Sequence, residues 1–371
     1  GQILTEPPCA FGFLDSNPNA IVLVVAQLVK YSPDAEAFFV IKSTLDIPVG
    51  ASFSLIGGNI VLDEATTPAD VLVGTENGTG SFISATGNRV ALVSVASTGD
   101  VTMDANGYGL TSFDTLGDIE LKGESIIDAS DVYIRGGNLY ITDSAIATGF
   151  FSAAYLASAP TDGDIDINVT NNLEVIGNAL LSIEIDHPYF GPLVVKKPDA
   201  FIADSEKWSF RSGISALAGD PLFLVPGNVS DINITAKNQL YTGISGVIAE
   251  RLGPGDASDI TINAETLEVR NGAVIANSNY YDGPGGSITI NADNVELNGG
   301  GGFAGIVGAS YMNPYFGQNN PYTNEPMQDP ALTSASAPVI TINAMGTQDL
   351  TVRDGVAIPA GLTVRNGATI N

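Results

Sequence analysis

The chain has 371 residues, 41 acidic against 14 basic side chains, and a formal net charge of −27. A surface of that sign excludes nucleic acid as a partner, because phosphates demand a basic face, and it disfavours anionic membrane surfaces. It suits a soluble, secreted protein held apart from its neighbours by like charge. Stacked carboxylates leave Ca²⁺ as an open alternative.

Cys9 is the single cysteine, so no internal disulfide exists; it reads as a small buried apolar residue. Residues 1–18 are Pro-rich and irregular, and residues 1–50 are expected to form an amino-terminal cap or extension. Within them, residues 20–29 are apolar over about half the length a membrane helix needs. They also lie too far from a basic start to be a signal peptide. No membrane insertion is expected, and the chain reads as a mature protein or a segment of a longer one. Residues 51–183 read as the first coils. Ser52-Phe-Ser-Leu-Ile56 runs through Gly57-Gly58 into Asn59-Ile-Val-Leu62, a strand–turn–strand corner in which Gly supplies conformations other residues avoid. Val101-Thr-Met103, Asp118-Ile-Glu-Leu121, Val132-Tyr-Ile134 and Leu139-Tyr-Ile141 continue the pattern.

Five copies of one phrase follow: Asp164-Ile-Asp-Ile-Asn168, Asp231-Ile-Asn-Ile-Thr235, Asp259-Ile-Thr-Ile-Asn263, Ser287-Ile-Thr-Ile-Asn291 and Val339-Ile-Thr-Ile-Asn343. Four are trailed by a second short apolar strand: Leu173-Glu-Val175, Leu267-Glu-Val269, Val295-Glu-Leu297 and Leu350-Thr-Val352. Short alternating strands repeated without helices predict an all-β fold, a β-solenoid wound as a right-handed parallel β-helix. The copies are spaced by 67, 28, 28 and 52 residues. The equal steps look like one coil each, and the longer ones like an extra coil plus an inserted loop. The two Ile of each copy are expected to form two interior ladders. Asn168, Thr235, Asn263, Asn291 and Asn343 then align in a stacked polar ladder. One elongated domain results, with an insertion at 184–228, regular coils at 229–303, a second insertion at 304–337 and terminal coils at 338–371.

The insertions share a Pro-Tyr-Phe-Gly phrase, at Pro188 and at Pro314. Disordered segments avoid aromatics, so both are read as ordered. Tyr189, Phe190 and Trp208 in the first, and Tyr311, Tyr315, Phe316 and Tyr322 in the second, are candidate glycan or protein contacts. The opposing reading is that they cover a flank of the rod.

Catalysis finds less support. Asp162, Asp164 and Asp166 are the best carboxylate cluster for glycoside hydrolysis, but outward strand positions are ordinarily polar. Lys196-Lys197 near His187 is the basic cluster a lyase would need, and His187 precedes a proline in a loop. Asp256, Asp259, Asp282 and Asp293 lie near turns without ligand periodicity. No catalytic residue and no cofactor is expected.

Several phrases in order resemble a known family. They are Phe11-Gly-Phe-Leu-Asp15, Ile47-Pro-Val-Gly50, Ser54-Leu-Ile-Gly-Gly-Asn-Ile60, Val132-Tyr-Ile-Arg-Gly-Gly-Asn-Leu-Tyr-Ile141 and the Ile-Thr-Ile-Asn repeats. Together they resemble the filamentous-haemagglutinin-like exoproteins of two-partner secretion, over most of the chain outside the two insertions and residues 24–44. The family's amino-terminal secretion signatures are missing; Asn17-Pro-Asn-Ala20 is a partial echo. The resemblance implies a β-helix, export through an outer-membrane secretion partner, and a place at the outer cell surface. There it would be a non-enzymatic adhesin binding glycan or a neighbouring cell, or the subunit of a filament self-associating into a fibre or surface layer. A polysaccharide-active lyase or hydrolase on the same fold is the alternative. The last phrase stops mid-coil, as truncation or as a strand that something else completes.

Overall fold

The structure, a computed structural model, describes residues 10–13, 21–24, 28–32, 37–41, 44–48, 51–63, 81–104, 107–149, 163–178, 181–182, 185–187, 191–193, 209–218, 227–251, 255–279, 284–310, 338–348, 350–351 and 357–371. Every regular element among them is a β-strand, and 22 strands belong to one sheet whose pairings are all parallel. The pairings sort into three columns.

Column one runs through Phe53–Gly57, the second halves of Phe82–Ser94 and Ile126–Gly136, Ile165–Val169, Ile232–Thr235, the first halves of Asp259–Arg270 and Ser287–Asn298, and Val339–Ala344. Column two runs through Ile21–Val24, Ile60–Asp63, Asp118–Leu121, Asn138–Thr142, Asn172–Gly177, Asn238–Gly243, the two remaining second halves and Gly361–Arg365. Column three holds Thr44–Asp46, the first halves of the strands at Phe82 and Ile126, Ala145–Thr148, Ser212–Ala218, Ser245–Arg251, Val274–Asn279, Ala304–Ser310 and Ala368–Ile370. The chain visits the columns in the order one, two, three, then starts the next rung. That succession is solenoid-like.

The core follows from period-2 alternation. Ile165, Ile232, Ile260 and Ile288 are in register and fully buried, as are Ile167, Ile234, Ile262 and Ile290. The residue after each points outward. Each buried Ile contributes about 1.5–3 kcal/mol of transfer free energy. One rung departs from the apolar rule: Gln239 and Tyr241 stand in the core between Leu173 and Leu267 and between Val175 and Val269. Tyr241 donates to Gln239 Oε1 at 2.9 Å, and Gln239 Nε2 donates to the Asn263 carbonyl at 3.0 Å. The polar groups therefore satisfy one another, as burial requires.

Glycine marks a corner where rungs approach closely. Gly177 and Gly243 are in register, Gly243 has φ +76°, and a Cβ there would lie 2.1 Å from the Gly177 carbonyl oxygen.

Four sequence expectations change. The 67- and 52-residue steps contain no extra coil, because Ile165 pairs directly with Ile232 and Ile288 with Ile340. Ser212–Ala218 and Ala304–Ser310 lie within stretches read as insertions, yet both are column-three rungs. Small residues fill those strands, so they lack the Ile-Thr-Ile signature. Val101 and its neighbours do not continue the stack. Gly99–Asp104 pairs antiparallel with Ala10–Phe13 and Gly107–Gly109 in a small separate sheet, whose Val101 packs with Val93 and Val95. Finally, Leu350–Thr351 is not the column-two strand; it pairs antiparallel with Ala357–Ile358, and Leu362 takes the place beside Val295. The sequence holds Leu-Thr-Val-Arg-Asp-Gly at 350 and Leu-Thr-Val-Arg-Asn-Gly at 362. The first is followed by Pro359, which cannot donate to a ladder; the second is followed by Ala368–Ile370, which closes the rung.

Candidate functional site

All seven aromatic candidates, Tyr189, Phe190, Trp208, Tyr311, Tyr315, Phe316 and Tyr322, lie outside the described residues, as do Cys9, Asp162, Lys196, Lys197 and Asp282. The backbone of Ile185–His187 pairs antiparallel with Gly191–Leu193, away from the large sheet.

The outward side of column one carries regular lines of polar groups. Asn168, Thr235, Asn263, Asn291 and Asn343 stand in register. Asn263 Nδ2 donates to Thr235 Oγ1 at 3.4 Å, Asn291 Nδ2 to Asn263 Oδ1 at 3.0 Å, and Asn343 Nδ2 to Asn291 Oδ1 at 2.8 Å. At the start of the same strands a line of aspartates runs along the stack. Asp231 Oδ1 accepts the Asp259 amide at 2.7 Å, and Asp259 Oδ1 accepts both the Ser287 amide and its hydroxyl. Burial, and then the Asp231 carboxylate, push the Asp164 carboxyl above its ordinary value. Asp166 is committed elsewhere: Arg135 Nη2 lies 2.6 Å from its Oδ2, and the Arg135 guanidinium sits 3.6 Å over the Tyr133 ring. Asp164 and Asp166 thus belong to two structural lines rather than to one catalytic pair. Among the described residues no group of three or more His, Cys, Asp or Glu is arranged to hold a metal ion.

A second polar ladder, on column two, escaped the sequence reading. Asn59 Oδ1 accepts the Asp118 amide at 3.0 Å, and Asn138 Nδ2 donates to Asp118 Oδ1 at 2.6 Å. Asn172 then donates to Asn138 at 2.9 Å, Asn238 to Asn172 at 3.0 Å, and Thr266 Oγ1 to Asn238 Oδ1 at 2.9 Å. The signal was available: an Asn, Asp or Thr immediately precedes the first apolar residue of each column-two strand.

The last rung is the most apolar surface described. Val339 is 64% exposed and Met345 73%, with Leu362, Val364 and Ile370 exposed beside them. Leu362 and Val364 continue the interior lines of Val295 and Leu297, which are fully buried one rung earlier.

No family model, no curated protein and no solved structure matches the chain. The geometry alone therefore carries the functional argument. It consists of a continuous apolar stack, satisfied side-chain ladders along two columns, and an apolar terminal rung. No helix among the described residues is long and apolar enough to cross a membrane.

Proposed function

We propose that the protein is a right-handed parallel β-helix, exported to the cell surface, that serves as a non-enzymatic structural module: an adhesin shaft or the subunit of a filament built end to end. The observation that carries this reading is the unbroken stack. Its side-chain ladders rigidify a rod and commit the regular outward groups to one another. The family resemblance of the repeats adds the expectation of export through an outer-membrane partner.

The filament version is supported by where the core is incompletely covered. Most of the partly buried apolar residues packed on the core belong to its two ends: Leu45, Ile47, Phe53 and Leu55 at one, Ile340, Ile342, Ala344 and Ala368 at the other. A further parallel rung of a second copy covers such a surface, and a heterologous contact of this kind propagates as a filament. Electron microscopy of the native protein tests this. Filaments whose axial repeat equals one rod, and which disappear in Val364→Lys, are expected. Single rods at every concentration would sink the filament version and leave the adhesin shaft.

A polysaccharide-active enzyme is the second reading. It is favoured by one observation, a cavity on column two with Glu120 and Glu174 two rungs apart and Lys122 tied beside Glu120. Release of new reducing ends from a polysaccharide by the purified chain, lost in Glu120→Gln, is its test.

A further inference from the structure

The outward side of column two is hollowed over its early rungs. A cavity of about 390 Å³ opens there, at the small end of the ~300–1,000 Å³ range of ligand sites. The register sets its plan. Val61, Glu120, Tyr140 and Glu174 form the central line, one residue per rung. Asn59 and Asp118 border it on one side, Thr142 and Ile176 on the other.

Both borders are fixed. The Asn59–Asp118–Asn138–Asn172 ladder locks one of them. Lys122 Nζ lies 3.4 Å from both Asp63 Oδ2 and Glu120 Oε2. Partial desolvation lowers the Lys122 ammonium, but the Glu120 and Asp63 carboxylates outweigh it and hold the group above its ordinary value, so it stays charged. A site whose walls are already fixed loses little ordering entropy on binding.

The central line places an aromatic ring between two carboxylates. Rungs repeat about every 4.8 Å, so Glu120 and Glu174 stand about 10 Å apart along the axis, roughly a disaccharide in length. The C–H face of a pyranose packs against an aromatic ring, while its hydroxyl and amino groups bond to carboxylates on either side. The charge then selects among sugars. Asp118, Glu120 and Glu174 face one ammonium already paired within the wall, on a chain of net charge −27. Uronic or sulfated polymers are repelled, and a protonated amine is attracted.

We propose that this cavity binds a β-linked amino-sugar chain along the rod axis, one ring on Tyr140 and protonated amines against Glu120 and Glu174. The site requires neither polymerisation nor catalysis.

Calorimetry on the full chain, with a glucosamine oligomer as probe, tests it. An N-acetylglucosamine oligomer, a galacturonate oligomer and a lysine oligomer of equal charge serve as comparisons. The glucosamine oligomer should bind at least roughly tenfold more tightly than all three, a gap of about 1.4 kcal/mol. Tyr140→Ala and Glu174→Gln should each weaken it by roughly tenfold, and Tyr140→Phe should retain binding. No binding, equal binding of the lysine oligomer, equal binding of the acetylated oligomer, or indifference to both Tyr140→Ala and Glu174→Gln would each overturn the proposal. Glu174→Gln preserves side-chain shape, so it carries the test if Tyr140→Ala melts early.

Discussion

Column two carries acidic residues on its outward central line in both halves, and the two halves handle them in opposite ways. In the early rungs Glu120 and Glu174 are half-buried around Tyr140 and border an open cavity. In the late rungs Glu268 and Glu296 are 5% and 4% exposed, stacked in register, and each is closed off by an arginine. Arg270 Nη1 lies 3.2 Å from Glu268 Oε2, and Arg365 grips Glu296 Oε1 through both Nε and Nη2. The strands beneath are alike. What differs is the outward position two residues later, Lys122, Thr142 and Ile176 in the early rungs against Arg270 and Arg365 in the late ones. A planar guanidinium covers and pairs a carboxylate in a way an ammonium, hydroxyl or alkyl group does not. One line of the repeat is therefore a binding surface at one end of the rod and a clamp at the other.

If the distinction lies only on the outside, the core below should be equally costly to disturb in both halves. Leu139 and Leu267 occupy the same interior line and are both fully buried. Leu139→Ala and Leu267→Ala should each cost about 3 kcal/mol in urea unfolding. A gap above about 1 kcal/mol between them would show that the halves differ in packing and not just in surface.

The clamp itself gives the next largest effect. Glu296 Oε2 is buried with no hydrogen-bond partner among the described residues, so Glu296 depends on Arg365 for compensation. Arg365→Met should destabilise the last rung by about 2 kcal/mol, because it leaves a buried carboxylate without its cation. Lys122→Met, at the open half, should cost under about 1 kcal/mol, since its partners are solvated. Equal losses for the two variants would erase the distinction between clamp and surface. Hydrogen exchange across Gly361–Arg365 locates the effect.

The repeats made the interior legible and left the outside mostly hidden. The Ile-Thr-Ile phrases fix period 2 and place their own column without ambiguity, because a one-residue slip would turn every Ile to solvent. Column three was harder. Ser212–Ala218 and Ala304–Ser310 are built of Gly, Ala and Ser with one or two large apolar residues each, which local pattern cannot separate from loop. The twin Leu-Thr-Val-Arg phrases show a different limit: their propensities are the same, and only the downstream Pro359 decides between them. The cavity was hidden for a third reason. Tyr140 and Glu174 are 34 positions apart in sequence and adjacent only through the Leu139–Leu173 register, so no linear spacing announces them. The aromatic insertions drew attention because aromatics are conspicuous in sequence, whereas the site with described geometry rests on a single tyrosine.

A third enclosed carboxylate sharpens the comparison, with an effect no larger than that of the clamp. Glu250 lies on column three between Leu217 and Ser278. Part of the residue remains exposed but its carboxyl is enclosed, and burial pushes it up to about 6, from an ordinary 4.5. The folded state thus binds this proton more tightly than the unfolded chain does. The stability it contributes is fully present below about pH 4.5, declines as the pH rises, and is lost above about 6. The decline amounts to about 2 kcal/mol at most. Glu250→Gln should remove that step from the pH dependence of the melting temperature, and should raise stability above pH 6 relative to the parent chain. If the parent shows no decline between pH 4.5 and 6, or if Glu250→Gln is the less stable protein at pH 8, then Glu250 is compensated as Glu296 is. Burial would then not distinguish a clamped carboxylate from one enclosed without a cation.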